Sequence, residues 1–191
     1  MKNDIKFLNK YFKDYQNLLE TNNESIKKQL LTLKKIFINL QKKKKKILIF
    51  GNGGSASIAS HFSVDLSKNA KIRCVNFNET NLITCYSNDY GYKNWVKMAI
   101  NHFGDKEDIL IVISSSGKSK NIINACIAAK KKKFSKIITF TGHSSENPVK
   151  KLGDINLWIN SKAYNHIENI HQFWLLLLVD LIIGKANYLP R

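Results

Sequence analysis

The stretch "LIFGNGGSASIASHFSVDL", residues 48–66, decides how this chain folds. An apolar run ending at Phe50 enters a glycine cluster, Gly51–Gly54, and then a segment with helical spacing of its apolar residues. Such a strand, glycine loop and helix bring free backbone N–H groups together at a helix start, where an anion is favoured. A nucleotide, a dinucleotide and a phosphosugar are all held by arrangements of this kind. The loop therefore poses a question: which phosphate?

Outward from the loop, five short apolar runs recur: "ILIF" (47–50), "RCVNF" (73–77), "ILIVIS" (109–114), "KIITFT" (136–141) and "INLWI" (155–159). They are continuous rather than alternating, which implies strands buried on both faces and hence a parallel sheet. Helical segments are predicted between most of them, over 55–68, 91–102, 118–133 and 145–152. Two more precede the first strand, over 4–20 and 24–44, with Asn23 in "TNNES" as N-cap of the second. A last helix, 163–184, is apolar all round from Ile170 to Ile183, so it must be buried in the core or at a subunit interface. The expected fold is α/β: a five-stranded parallel sheet flanked by helices, doubly wound, with two N-terminal helices. One domain is expected over 1–191, with a helical segment over 1–45 and an α/β core over 46–191.

Composition narrows the setting. The longest apolar run, "FWLLLLV" (173–179), is far shorter than the ~20 residues a membrane span needs. The N-terminus has no signal-peptide pattern, and Cys74, Cys85 and Cys126 lack metal-ligand spacing, so a cytoplasmic protein with reduced thiols is expected. The net charge is +17, yet only Arg73 and Arg191 among the 31 basic residues are arginine. Base recognition relies on arginine and stacking aromatics, so nucleic acid is not the expected partner, and neither is a membrane. The runs Lys42–Lys46 and Lys130–Lys133 fall at helix ends just before strands, where lysine suits the helix dipole and a solvated corner.

Ligands in an open parallel sheet bind beyond the carboxyl ends of its strands. Two such ends stand out, "GNGGS" (51–55) and "SSSGKS" (114–119). Gly51, Gly53 and Ala56 fit a dinucleotide fingerprint, but where an acidic residue should close the second strand "CVNFNET" offers asparagines and only a later Glu79. A triphosphate loop would need glycine at Val112, inside a strand. Neither NAD nor a nucleotide is expected. Ser114, Ser115, Ser116 and Ser119 could surround one phosphate monoester, or merely cap the helix that follows. The residues alone leave both readings open.

Taken together, "GNGGSA…HF…DL", "YSNDYGY", "ISSSGKS", "TFTGH" and "IENIH" resemble the sugar isomerase (SIS) domain family, most closely its phosphoheptose isomerase branch. The resemblance implies a phosphosugar aldose–ketose isomerase working through an enediolate, assembled as a homotetramer with active sites at subunit boundaries. It implies that Asn52, Gly53, Ser55, Ser114, Ser115, Ser116 and Ser119 hold the sugar phosphate and that Asp89 contacts sugar hydroxyls. It also implies one divalent metal, commonly zinc, bound by a His and a Glu on the first helix after the loop and by a Gln and a His on the last.

This sequence departs from that set. His61 matches the first ligand, but Asp65 stands for the Glu, Glu168 for the Gln, and Leu176 for the final His. The remaining metal candidates are His61, Asp65 and Glu168, a carboxylate-rich set that could favour manganese or another divalent ion over zinc, or no metal at all. The catalytic candidates are Asp65, with Glu168 as base and His171, three residues on, as acid. Bland readings stand beside these: His61 and Asp65 as a helix-surface pair, and Glu168 as an acid suited to a helix start. His102, His143 and His166 read as surface or loop residues. Leu176 also motivates an alternative, a non-catalytic phosphosugar-binding scaffold like the DnaA-initiator-associating branch.

Overall fold

In "ILIF", Leu48 and Phe50 join one buried cluster and Ile47 and Ile49 another, as side chains of a strand covered on both faces must. The computed structural model describes residues 1–21 and 23–187; Asn22 of "TNNES" and the C-terminal residues 188–191, with Arg191, lie outside the described residues. Helices α1 (Lys2–Glu20) and α2 (Asn23–Lys42) lead into β1 (Ile47–Phe50), α3 (Gly54–Lys68) and β2 (Cys74–Val75). Then come α4 (Thr80–Tyr90), α5 (Trp95–Phe103), β3 (Ile109–Ser114), α6 (Lys120–Lys131) and β4 (Lys136–Thr141). The chain closes with α7 (Pro148–Leu152), β5 (Ile155–Trp158) and α8 (Tyr164–Ile183). Asn23 is the first helical residue of α2 rather than its cap.

The five strands pair in parallel in the order β2-β1-β3-β4-β5. The chain thus winds one way from β1 and the other way from β3, which makes the gap between β1 and β3 the switch point of the sheet. One face packs on α2, α3 and α8, the other on α5 and α6, giving three layers. Leu33 and Phe37 of α2 are fully buried with the strands, so this helix is part of the core.

Two elements differ from expectation. The second strand stops at Val75 because the asparagines after it bond sideways: Asn76 Nδ2 donates to Ser63 Oγ (2.6 Å) and Asn78 Nδ2 to the Ala56 carbonyl (2.9 Å). A helix not read from the sequence, α4, covers Thr80–Tyr90. Its Thr, Asn, Cys and Ser content hides it, and it is held in place by Leu82, Ile83 and Tyr86 against the second cluster.

By length and composition α8 could cross a membrane. It instead buries Ile167, Ile170, Trp174, Leu175, Leu178 and Val179 in the core, while Phe173 and Leu177 remain exposed. Helix α1 has no buried residue; it is tied to α8 through Tyr15, which donates to the Asn165 carbonyl (3.2 Å) and accepts from Asn169 Nδ2 (2.6 Å). The lysine runs lie at the strand starts, the end of the sheet away from the two loops. There Lys46 bridges Asp105 (2.6 Å) and buried Asp108 (2.7 Å).

Candidate active site

Both loops issue from the carboxyl ends of the neighbouring strands β1 and β3 and so flank the switch point. An amide pair ties them together: Asn121 Nδ2 donates to Asn52 Oδ1 (2.8 Å) and Asn52 Nδ2 to Asn121 Oδ1 (3.1 Å). Asn121 is buried at the start of α6, and the Tyr92 hydroxyl also donates to Asn52 Oδ1 (3.0 Å). Gly53 sits at the N-cap of α3 with φ +55°, and buried Ser55 opens the helix behind it. Neither α3 nor α6 is capped by a side chain.

The serine loop bears on the reading left open above. Ser119 occupies the N-cap of α6 without capping through its hydroxyl, which instead meets Ser114 Oγ at 3.4 Å. Ser116 Oγ accepts from the Lys118 N–H (3.3 Å). Ser115 is buried and its Oγ has no hydrogen-bond partner among the described residues. A buried hydroxyl left unpaired is costly, and this one would have to turn outward to meet a phosphate in the loop.

Glu168, distant in sequence, is brought to the glycine loop by the first turns of α8. A Cβ added at Gly54 would lie 2.3 Å from its Oε2, so the carboxylate rests against the backbone at the start of α3. Further along α3, His61 Nε2 and Asp65 Oδ2 are 3.4 Å apart, both partly exposed. Asp180 of α8 lies beside them; burial first, then the Asp65 charge, holds its carboxyl above the usual carboxylate range. Leu176, half-buried, borders a groove with Gln172 and Asp180. Asp89 is exposed near the end of α4 and accepts from Asn88 Nδ2 (3.0 Å).

Two histidines are not where the sequence reading put them. His171 is fully buried: its Nε2–H donates to the Thr141 carbonyl (3.2 Å) and its ring lies edge-on to Phe140. Three residues along a helix turn the side chain by roughly 300°, not a full circle, and that offset points His171 into the core flanked by Ile167, Ile170 and Trp174. It is removed from the catalytic set. His166 is likewise buried, between the rings of Tyr11 and Tyr15.

Burial pushes the His171 pKa down to about 4. The unfolded imidazole, near ~6.5, takes up its proton at higher pH than the folded one. Its contribution to stability is therefore complete above about pH 6.5 and lost as pH falls toward 4. The loss is expected to reach about 3 kcal/mol. Thermal unfolding at pH 7 and pH 4.5 checks this: His171→Leu should lose clearly less stability between the two than the parent does.

The donors implied for a metal do not fit one. Among the described residues no three His, Cys, Asp or Glu side chains group around a common point. His61 and Asp65 make a pair, Glu168 is turned to Gly54, and Leu176 offers no donor. Sequence reasoning missed Asn121, Tyr92, Asn147 and Asp180. For Asn147 the "NP" step at 147–148 was a readable turn signal; the others matter only through neighbours distant in the chain.

Fold and loops define an open parallel α/β protein with a glycine loop and a serine loop flanking the switch point of its sheet. The profile of the SIS domain family matches residues 10–142. The phosphoheptose isomerase of Helicobacter pylori (strain P12) is 32% identical over 181 residues, covering 92% of this chain and 93% of that protein. The phosphoheptose isomerase of Buchnera aphidicola subsp. Acyrthosiphon pisum (strain Tuc7) is 35% identical over 173 residues, covering 83% and 86%. The structure of a phosphoheptose isomerase from Francisella tularensis superposes with a TM-score of 0.87 at 26% identity, covering 95% of this chain and 98% of that one. This chain belongs to the SIS domain family, and within it is most similar to the phosphoheptose isomerases.

Proposed function

We propose that this chain is a phosphosugar aldose–ketose isomerase acting on a ketoheptose phosphate. The observation that carries the reading is the pair of loops on adjacent strands, the serine loop leading into an uncapped helix and the glycine loop with Glu168 resting against Gly54. Asn52, Gly53, Ser55 and the serines at 114, 115, 116 and 119 hold the phosphate end, and Asp89 meets sugar hydroxyls. Isomerisation needs a base to take the proton next to the carbonyl and a donor for the oxygens. Glu168 serves as the base. With His171 in the core, the proton on oxygen falls to His61, with Asp65 3.4 Å from its ring, while the starts of α3 and α6 favour the phosphate.

The protein works in the cytoplasm as a homo-oligomer, a tetramer by its resemblance. Exposed Phe173 and Leu177 on α8, Val64 on α3, and Ile5, Leu8 and Phe12 on α1 are the apolar surface that further copies would cover.

Proton NMR of the protein with sedoheptulose 7-phosphate in deuterated water tests the reading. An aldose phosphate should accumulate, with deuterium at the carbon next to its carbonyl. Saturable binding with no exchange would overturn the enzymatic reading in favour of a phosphosugar-binding scaffold.

A further inference from the structure

The seam between α3 and α8 holds the residues that a metal would have to use. A zinc ion needs three or four N, O or S donors, each ~2.0–2.3 Å from one point. His61 Nε2 and Asp65 Oδ2, at 3.4 Å, could supply two of them. Among the described residues no third donor joins them. Glu168 rests against Gly54, close enough that a Cβ there would lie 2.3 Å from its Oε2. At 1.5 Å per residue, Gly54 is roughly 10 Å up α3 from His61. Asp180 approaches Asp65 but completes no three-donor group with the pair, and Leu176 places hydrocarbon one turn before it on the same helix.

We propose that this site takes no resident divalent metal: Leu176 has removed one donor, Glu168 has turned to the glycine loop, and the remaining His61–Asp65 pair is left to face the substrate. The proposal deepens the isomerase reading, and only its activity arm depends on that reading. A two-donor pair on one helix leaves an ion mostly hydrated, so its affinity should be far below that of a closed site. The chain would then differ from a metal-dependent isomerase in one measurable way, indifference to chelators.

Elemental analysis and zinc calorimetry on the assembled full-length protein decide the matter without reference to turnover. After dialysis, less than about 0.1 zinc, manganese, iron or nickel per chain is expected, since two donors do not retain an ion. Leu176→His restores a third donor and should tighten zinc binding at least about tenfold. In that background His61→Ala should return the affinity to the parent level. With an active preparation, EDTA should leave the isomerisation rate within about twofold, as a reaction routed through side chains alone requires.

Stoichiometric metal that survives dialysis of the parent protein, and disappears with His61→Ala, would overturn the proposal. Donors supplied across a subunit boundary would appear as that same result. If the NMR experiment shows no isomerisation, the isomerase reading falls, while the metal content still decides this one.

Discussion

Gly117→Ala is expected to destabilise the protein by about 3–5 kcal/mol and to abolish measurable phosphosugar binding. Gly117 sits in the middle of the serine loop with φ +64°, a conformation that costs an alanine ~1–2 kcal/mol. The space is also taken: a Cβ would lie 2.0 Å from Asn147 Oδ1 and 2.6 Å from its Cβ. Asn147 is buried and fully committed. Its Nδ2 donates to Thr141 Oγ1 (3.1 Å) and the Ser144 carbonyl (2.8 Å), and its Oδ1 caps α7 by accepting the Lys150 N–H (2.8 Å). Moving it breaks several of these bonds, each worth ~1 kcal/mol. Gly91→Ala separates the two causes, because Gly91 has φ +77° but nothing within 4 Å of an added Cβ. There only a backbone cost of about 1–3 kcal/mol is expected, since φ +77° with ψ 145° lies close to a region essentially confined to glycine. Urea unfolding of both variants, with calorimetric titration of sedoheptulose 7-phosphate, makes the comparison. Equal losses in the two would show that Asn147 yields freely.

The second large effect concerns chemistry rather than folding. Glu168→Gln keeps the volume and polarity of the side chain but removes its capacity to accept a proton. Its kcat is expected to fall by about 10²–10⁴, the usual worth of a positioned base. Affinity should change little, because in the proposed site the phosphate is held by loops from β1 and β3, and Glu168 abuts the first of them at Gly54. Solvent deuterium exchange into the bound sugar, measured beside calorimetric affinity, distinguishes the outcomes. Unchanged exchange would remove Glu168 as base and leave Asp65 to be tested next. A joint loss of exchange and affinity would assign Glu168 to binding instead.

Much of the fold was legible because it rests on local patterns. Continuous apolar runs at 47–50, 109–114, 136–141 and 155–159 appear as β1, β3, β4 and β5, with β5 one residue shorter. The glycine and serine clusters lie at the strand ends where the pattern put them. The weak points were segments whose local chemistry argues against their structure. "TNLITCYSNDY" is poor in helix formers and folds as α4 through its contacts, while "RCVNF" loses its last residues as strand to side-chain amides that bond α3.

The site divides along the same line. The sequence by itself determined two loops of small residues at strand ends, the i, i+4 pairing of His61 with Asp65, and the hydrocarbon side chain at Leu176, since each follows from residue type and spacing along one element. Only the tertiary structure decided that Glu168 meets Gly54, that Asn121 locks Asn52, and that His171 turns into the core. Those facts depend on how α8 is rotated against α3 and the sheet, and that rotation is set by packing Ile167, Ile170, Trp174 and Leu175 as a group. Helical periodicity locates a face to within a residue or so. A shift of that size carries a histidine from the crevice into the core.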